Sequence, residues 1–140
     1  MRGAHPRPDR SSRVVEVILT RLAPALVFLA FGVGKFTNHA SETSSFRAYG
    51  LPHPGAFAYA IGVAEILGGL ALLVRASAPL AALVLAGDMV GAIVVSGIGR
   101  GEMVSLTLAP ALLAAMVALL VRQGPGFWRQ RVRGLGAGRR

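Results

Sequence analysis

Four long apolar segments, separated by shorter polar stretches, dominate the hydrophobic pattern. They run from Val14 to Phe36, from Pro54 to Val74, from Ala76 to Gly99 and from Met103 to Val121. The first has a charge-free centre from Leu22 to Gly34. The second carries one charge, Glu65, the third carries one, Asp88, and the fourth carries none. At 1.5 Å per residue each reaches ~28–36 Å, enough to cross a hydrocarbon core of ~30 Å. Ala and Leu dominate, and no alternation of period two persists, so the pattern predicts helices rather than strands. In lipid every backbone polar group must be satisfied internally, which leaves a helical bundle. The expected fold is therefore all-α, a transmembrane four-helix bundle over residues 14–122. Basic tails at 1–13 and 123–140 flank it. Pro24 and Pro110 fall inside spans and predict mild kinks, whereas Pro54 and Pro79 fall in first turns, where Pro is favoured. Arg2, Arg7, Arg10 and Arg13 precede the first span, as in a signal peptide. The apolar stretch is too long for one and no small-x-small cleavage site follows, so the segment is read as a retained span.

Composition agrees with this pattern. The chain of 140 residues is 54% hydrophobic and only 15% charged, against ~25% charged in soluble domains. Its formal net charge of +9 suggests nucleic acid until the charges are located. The termini and the turn between spans two and three hold Arg2, Arg7, Arg10, Arg13, Arg75, Arg122, Arg129, Arg131, Arg133, Arg139 and Arg140. The opposite side holds Lys35, Arg47 and Arg100. This asymmetry predicts both termini in the cytoplasm of a plasma (inner) membrane protein. It also places the long connection from Thr37 to His53 outside. The basic tails then fix topology and meet anionic headgroups of the lipid bilayer. With no aromatic interleaving among the basic residues, no nucleic-acid partner is expected.

The few polar residues within the spans share helix faces with small ones. Arg21, Ala25, Phe28, Gly32 and Lys35 form one stripe. Ala58, Gly62, Glu65, Gly69 and Leu72 form a second, and Ala81, Leu85, Asp88, Ala92 and Val95 a third. Small faces let membrane helices approach closely, so Phe28, Gly32, Lys35, Gly62, Gly68 and Gly69 are read as a helix-packing motif. Counting from the cytoplasmic end of each span puts Arg21 and Glu65 within ~3 Å of one height and Asp88 ~7–8 Å above Arg21. A lone charge at the bilayer centre costs ~2.5–3.5 kcal/mol or more. Arg21 and Glu65 are therefore expected to form a buried ion pair, with Asp88 close enough to join it. Lys35, ~20 Å above Arg21, is expected to snorkel to the outer interface. Two roles remain open for this polar site. It either locks two antiparallel helices together or lines a pocket for a small ligand, a quinone headgroup or a proton. Asp88 is the candidate for proton exchange, with a hydrogen-bonded neutral Asp as the alternative.

Much chemistry is excluded. The chain has no Cys, hence no thiolate metal site, iron–sulfur cluster or Cys nucleophile. His5, His39 and His53 lie in a tail or the outer connection, so no bis-histidine haem forms within one chain. His39, Glu42 and His53 are read as solvated, and no metal is assigned. Phosphate-binding glycine patterns and a nucleophile–base pair are missing, so no catalytic set is assigned. Ser96, Ser105 and Thr107 are expected to bond back to helix carbonyls. The connection residues Phe46, Tyr49, Leu51 and Pro52 are expected to rest on headgroups or cap the bundle, with a substrate lid as the alternative.

The stretch Arg21-x6-Phe28-x3-Gly32-x2-Lys35-Phe36 resembles the first-helix signature of the DoxX family. Gly50-Leu51-Pro52 resembles the family's loop, and the run from Gly62 through Glu65, Gly68 and Gly69 to Leu73 is similar to its second-helix signature. The third and fourth spans match only in length and apolarity. The resemblance implies a small four-helix membrane protein. It also implies a redox-associated role, as accessory subunit or docking partner of a soluble or membrane oxidoreductase complex linked to quinone. No covalently bound cofactor is expected; quinone is the ligand class implied, and oligomer formation is left open. A fixed acid at Asp88 is not part of that resemblance, so the proton-carrier alternative rests on this sequence alone. A third option is a structural membrane protein without chemistry.

Overall fold

A computed structural model describes residues 9–137, and all of the regular structure in that range is helical. The arginines expected to orient the chain at positions 2, 7, 139 and 140, and His5, lie outside the described residues. Helix α1 spans Arg10–Thr37, α2 His39–Ala48, α3 Pro54–Leu73, α4 Ala78–Ile98 and α5 Met103–Ala137. Helices α1, α3, α4 and α5 are each long and apolar enough to cross a membrane.

Three differences from the sequence reading have clear causes. The first helix starts four residues before Val14, because the Asp9 carboxylate caps it by accepting from the Ser12 backbone N–H at 2.8 Å. The connection from Thr37 to His53 is largely a helix, α2, packed on α3. The helix that carries the fourth span continues past Val121 through Pro125 to Ala137. Pro125 removes the bond its N–H would make to the Val121 carbonyl. Val121 is 69% exposed, so a freed carbonyl there can be solvated at the end of the span. Pro24 also has a local solution. Ile18–Leu22 widens into a π-turn, and Ala23 donates its N–H to the Ile18 carbonyl immediately before the proline.

Neighbours pack in the order α1–α3–α4–α5, and the Ile18–Leu22 turn of α1 closes the ring onto α5. Arg122 and Glu16 form an ion pair at that closure, at 2.6 Å. It is solvent-exposed and worth no more than ~1 kcal/mol. The core lies in the half of the bundle nearest the chain termini, where Ala25, Phe28, Leu72, Ala82, Leu85, Met116 and Leu119 interdigitate. The outer faces are apolar: Leu19, Leu26, Leu67, Leu83 and Val117 are all exposed. A soluble domain does not expose apolar side chains over its whole girth, whereas lipid-facing helices do.

Glycine sets the spacing of the helices. A Cβ on Gly32 would sit 2.7 Å from Ile66 Cγ1 and 2.8 Å from the Gly62 carbonyl. One on Gly69 would sit 3.0 Å from the Ala25 carbonyl, so Gly32, Gly62 and Gly69 allow backbone contact between α1 and α3. On the adjacent face, Gly68 makes room for Leu85 of α4. Gly101, at φ +69°, turns the chain out of α4 and donates to the Gly97 carbonyl at 2.7 Å, and α5 starts two residues later.

Candidate functional site

The α1–α3 register decides which charges meet. Gly32 lies against Gly62 and Ile66, and Ala25 against Gly69. That antiparallel alignment places Lys35 level with Gly62, about one turn from Glu65. Helical side chains lean toward their own N-terminus. On antiparallel helices Lys35 and Glu65 therefore lean toward each other. Lys35 Nζ lies 2.9 Å from Glu65 Oε2, with side chains only 10% and 5% exposed. The contact is close in distance but poorly aligned as a hydrogen bond. The Phe31 ring lies 5.9 Å below the ammonium.

The expected Arg21–Glu65 pair does not form. Arg21 leans the other way and caps the end of α3, donating Nε to the Leu72 carbonyl at 2.8 Å and Nη2 to the Leu73 carbonyl at 2.9 Å. Carbonyls in a last helical turn lack intrahelical donors and carry negative partial charge, which suits a guanidinium. The counted depths are not equal: the register that sets Ala25 against Gly69 puts Arg21 beside the Leu72–Leu73 end of α3, about two turns from Glu65. Lys35, expected to snorkel to water, is instead the buried partner.

Above the Phe28, Met89 and Leu112 side chains the helices part. They enclose a cavity of about 500 Å³, roofed by α2, with all five helices in its wall. Lys35, Glu65 and Asp88 line it. Asp88 Oδ2 is buried and has no hydrogen-bond partner. Asp88 lies midway along α4 and Glu65 near the middle of α3, each within an apolar helix long enough to cross a membrane. At the mouth, Glu102 accepts from the Ser105 hydroxyl at 2.9 Å and from the Tyr49 hydroxyl at 3.3 Å, which ties α2 to the start of α5. Phe46 and Tyr49, read as resting on headgroups or capping the bundle, line the cavity beneath α2. His39, considered with Glu42 and His53, stacks on Tyr59 with ring centroids 3.8 Å apart.

The family model for DoxX matches residues 17–97, more than half of the chain. The chain belongs to the DoxX family. No curated protein matches it, and no solved structure does. The DoxX segment contains Arg21, Lys35, Glu65 and Asp88, so the buried charges lie within the family region while α5 completes the cavity from outside it. Glu102 is a wall residue that sequence reasoning passed over, and Ser96, read only as bonding back to its helix, also lines the wall. Glu102 follows the Gly99–Arg100–Gly101 break and reads as part of a solvated turn. The usable signal was an acid at the edge of an apolar span with Ser105 one turn further on.

Proposed function

We propose that this DoxX protein is a ligand-binding subunit of the plasma membrane, with both termini cytoplasmic. In this reading it holds the headgroup of a quinol for a partner oxidoreductase. The observation that carries the proposal is the 500 Å³ cavity beneath α2, with Asp88 in its wall and the Asp88 Oδ2 buried without a hydrogen-bond partner among the described residues. Membrane ligand sites are concave, mostly apolar and fitted with few polar groups, and this cavity has that character. Its polar lining favours one redox state. Carboxylate oxygens outnumber the single ammonium, so the wall accepts hydrogen bonds more readily than it donates them. A quinol presents two hydroxyl donors, whereas a quinone presents only carbonyl acceptors. Lys35 and Glu65 hold the ligand's floor in place, and Tyr49 and Glu102 hold the roof. Electron transfer itself belongs to the partner.

The test is equilibrium binding of a short-chain quinol and its quinone to the protein purified in mild detergent. The quinol is expected to bind about tenfold more tightly, since a hydrogen bond to a charged acceptor contributes ~1.5–3 kcal/mol. Asp88→Asn should narrow that preference. Equal binding of both forms, or of neither, would remove the quinol reading. Copurification of an oxidoreductase tests the accessory role separately. One observation also favours a proton carrier: the same unpartnered Asp88 oxygen midway along α4. Proton flux in liposomes that Asp88→Asn abolishes would decide for it.

A further inference from the structure

We propose that the cavity beneath α2 is also a binding site for lipophilic organic cations, such as protonated or quaternary amines with an aromatic body. The chain has six acids and fifteen basic residues. Yet the cavity wall carries Glu42, Glu65, Asp88 and Glu102 against one base, Lys35. Four of the six acids thus gather in one place on a chain of net charge +9, and among the described residues Lys35 is the one base in that wall.

The pairing inside is incomplete. Lys35 compensates Glu65. Glu102 has only hydroxyl donors, from Tyr49 and Ser105. Asp88 Oδ2 is buried with no donor at all. Acids at membrane depth are paired or mark a ligand path, and this wall has acceptors to spare. Its apolar part is aromatic, with Phe28, Phe31, Phe46, Phe57 and Tyr49 all lining it. Ring faces attract cations, most strongly where water is excluded. Carboxylates and aromatic side chains around one concave volume together define a site for a bulky, weakly hydrated cation. Such cations partition into bilayers, and α2 is the element that separates the cavity from the membrane surface.

This inference rests on the cavity being a ligand site but not on quinol being its ligand. The test uses tetraphenylphosphonium and tetraphenylborate, ions of matched shape and opposite charge, in equilibrium dialysis against the full chain in mild detergent. Saturable one-to-one binding of the phosphonium is expected, with none of the borate. Asp88→Asn should weaken it about tenfold. Glu102→Gln, at the mouth, should weaken it too, and carries the test if the Asp88 variant does not fold by circular dichroism. Equal binding of both ions would show an apolar pocket without charge selection and overturn the proposal. So would phosphonium affinity indifferent to a folded variant. If quinol binds and phosphonium does not, the cation site falls and the quinol reading stands. The reverse result removes quinol and leaves the cation site, and the absence of both removes the cavity as a ligand site.

Discussion

Lys35→Met isolates the buried ion pair. It removes the cation but keeps much of the side chain's length and apolar volume, leaving Glu65 facing an apolar neighbour. At 2.9 Å and an effective dielectric constant of ~20, the Coulomb attraction is about 6 kcal/mol. Most of that is offset by the desolvation of two groups only 10% and 5% exposed. Breaking one half of a buried pair costs ~3–5 kcal/mol, whereas replacing both halves with apolar groups is often neutral. The expectation is a loss of about 3 kcal/mol for Lys35→Met, with Lys35→Met/Glu65→Met returning to within about 1 kcal/mol of the native protein. The coupling energy is then at least ~2 kcal/mol. Reversible unfolding in mixed micelles, followed by circular dichroism along a denaturing-detergent series, measures Lys35→Met, Glu65→Met and the double variant. Arg21→Met combined with Glu65→Met is the control, expected to be additive within ~0.5 kcal/mol because Arg21 bonds to the Leu72 and Leu73 carbonyls. Coupling below ~0.5 kcal/mol between positions 35 and 65, or strong coupling between 21 and 65, would refute the assigned register.

Four further outcomes follow from the geometry. Gly32→Ala puts a methyl 2.7 Å from Ile66 and 2.8 Å from a backbone carbonyl, and should cost ~1–3 kcal/mol in the same unfolding assay. Gly87→Ala, with open space around it, should be neutral or gain up to ~1 kcal/mol from helix propensity. Arg21→Gln frees the last carbonyls of α3 and should accelerate amide exchange in its final turn, at a cost of ~1 kcal/mol; unchanged exchange would show that the cap is idle. Asp9 should titrate below its ordinary value of 3.8, because the Ser12 hydroxyl and backbone N–H both donate to its ionised carboxylate. Its folded value is depressed, so the cap is fully present above the ordinary value and lost as pH falls through the folded one. Carboxyl NMR of Asp9 with a midpoint at or above 3.8 would contradict the cap.

The fold was legible because hydrophobic length is a one-dimensional signal, and four spans follow from counting apolar residues. The family was legible from the residues that carry the α1–α3 contact, chiefly Gly32, Lys35, Gly62 and Glu65. The ion pair was not, because its partners are chosen by helix register and by the lean of side chains. Counting depth from an assumed span end captures neither. Arg21 and Lys35 occupy one stripe, and only the close approach at Gly32 and Gly69 fixes which of them faces Glu65. The cavity was hidden for a similar reason. Its wall draws on all five helices, including α2, which reads as a polar connection because its apolar positions, such as Phe46 and Tyr49, are few and widely spaced. Continuation of α5 through Pro125 depends on where the surrounding medium becomes polar, a property that local propensity does not encode.

Interior filling at one end and hollowness at the other make the bundle act like a clothes peg. The tightly interlocked half around Leu72, Leu85 and Met116 works as the spring. The far tips of the rods, joined across α2 by little more than the Tyr49–Glu102 bridge, form the jaws. Local opening concentrates where fewest apolar groups interlock, so breathing motions should part the jaws sideways while the spring keeps its grip. Anything entering would then come laterally from among the acyl chains rather than down the long axis.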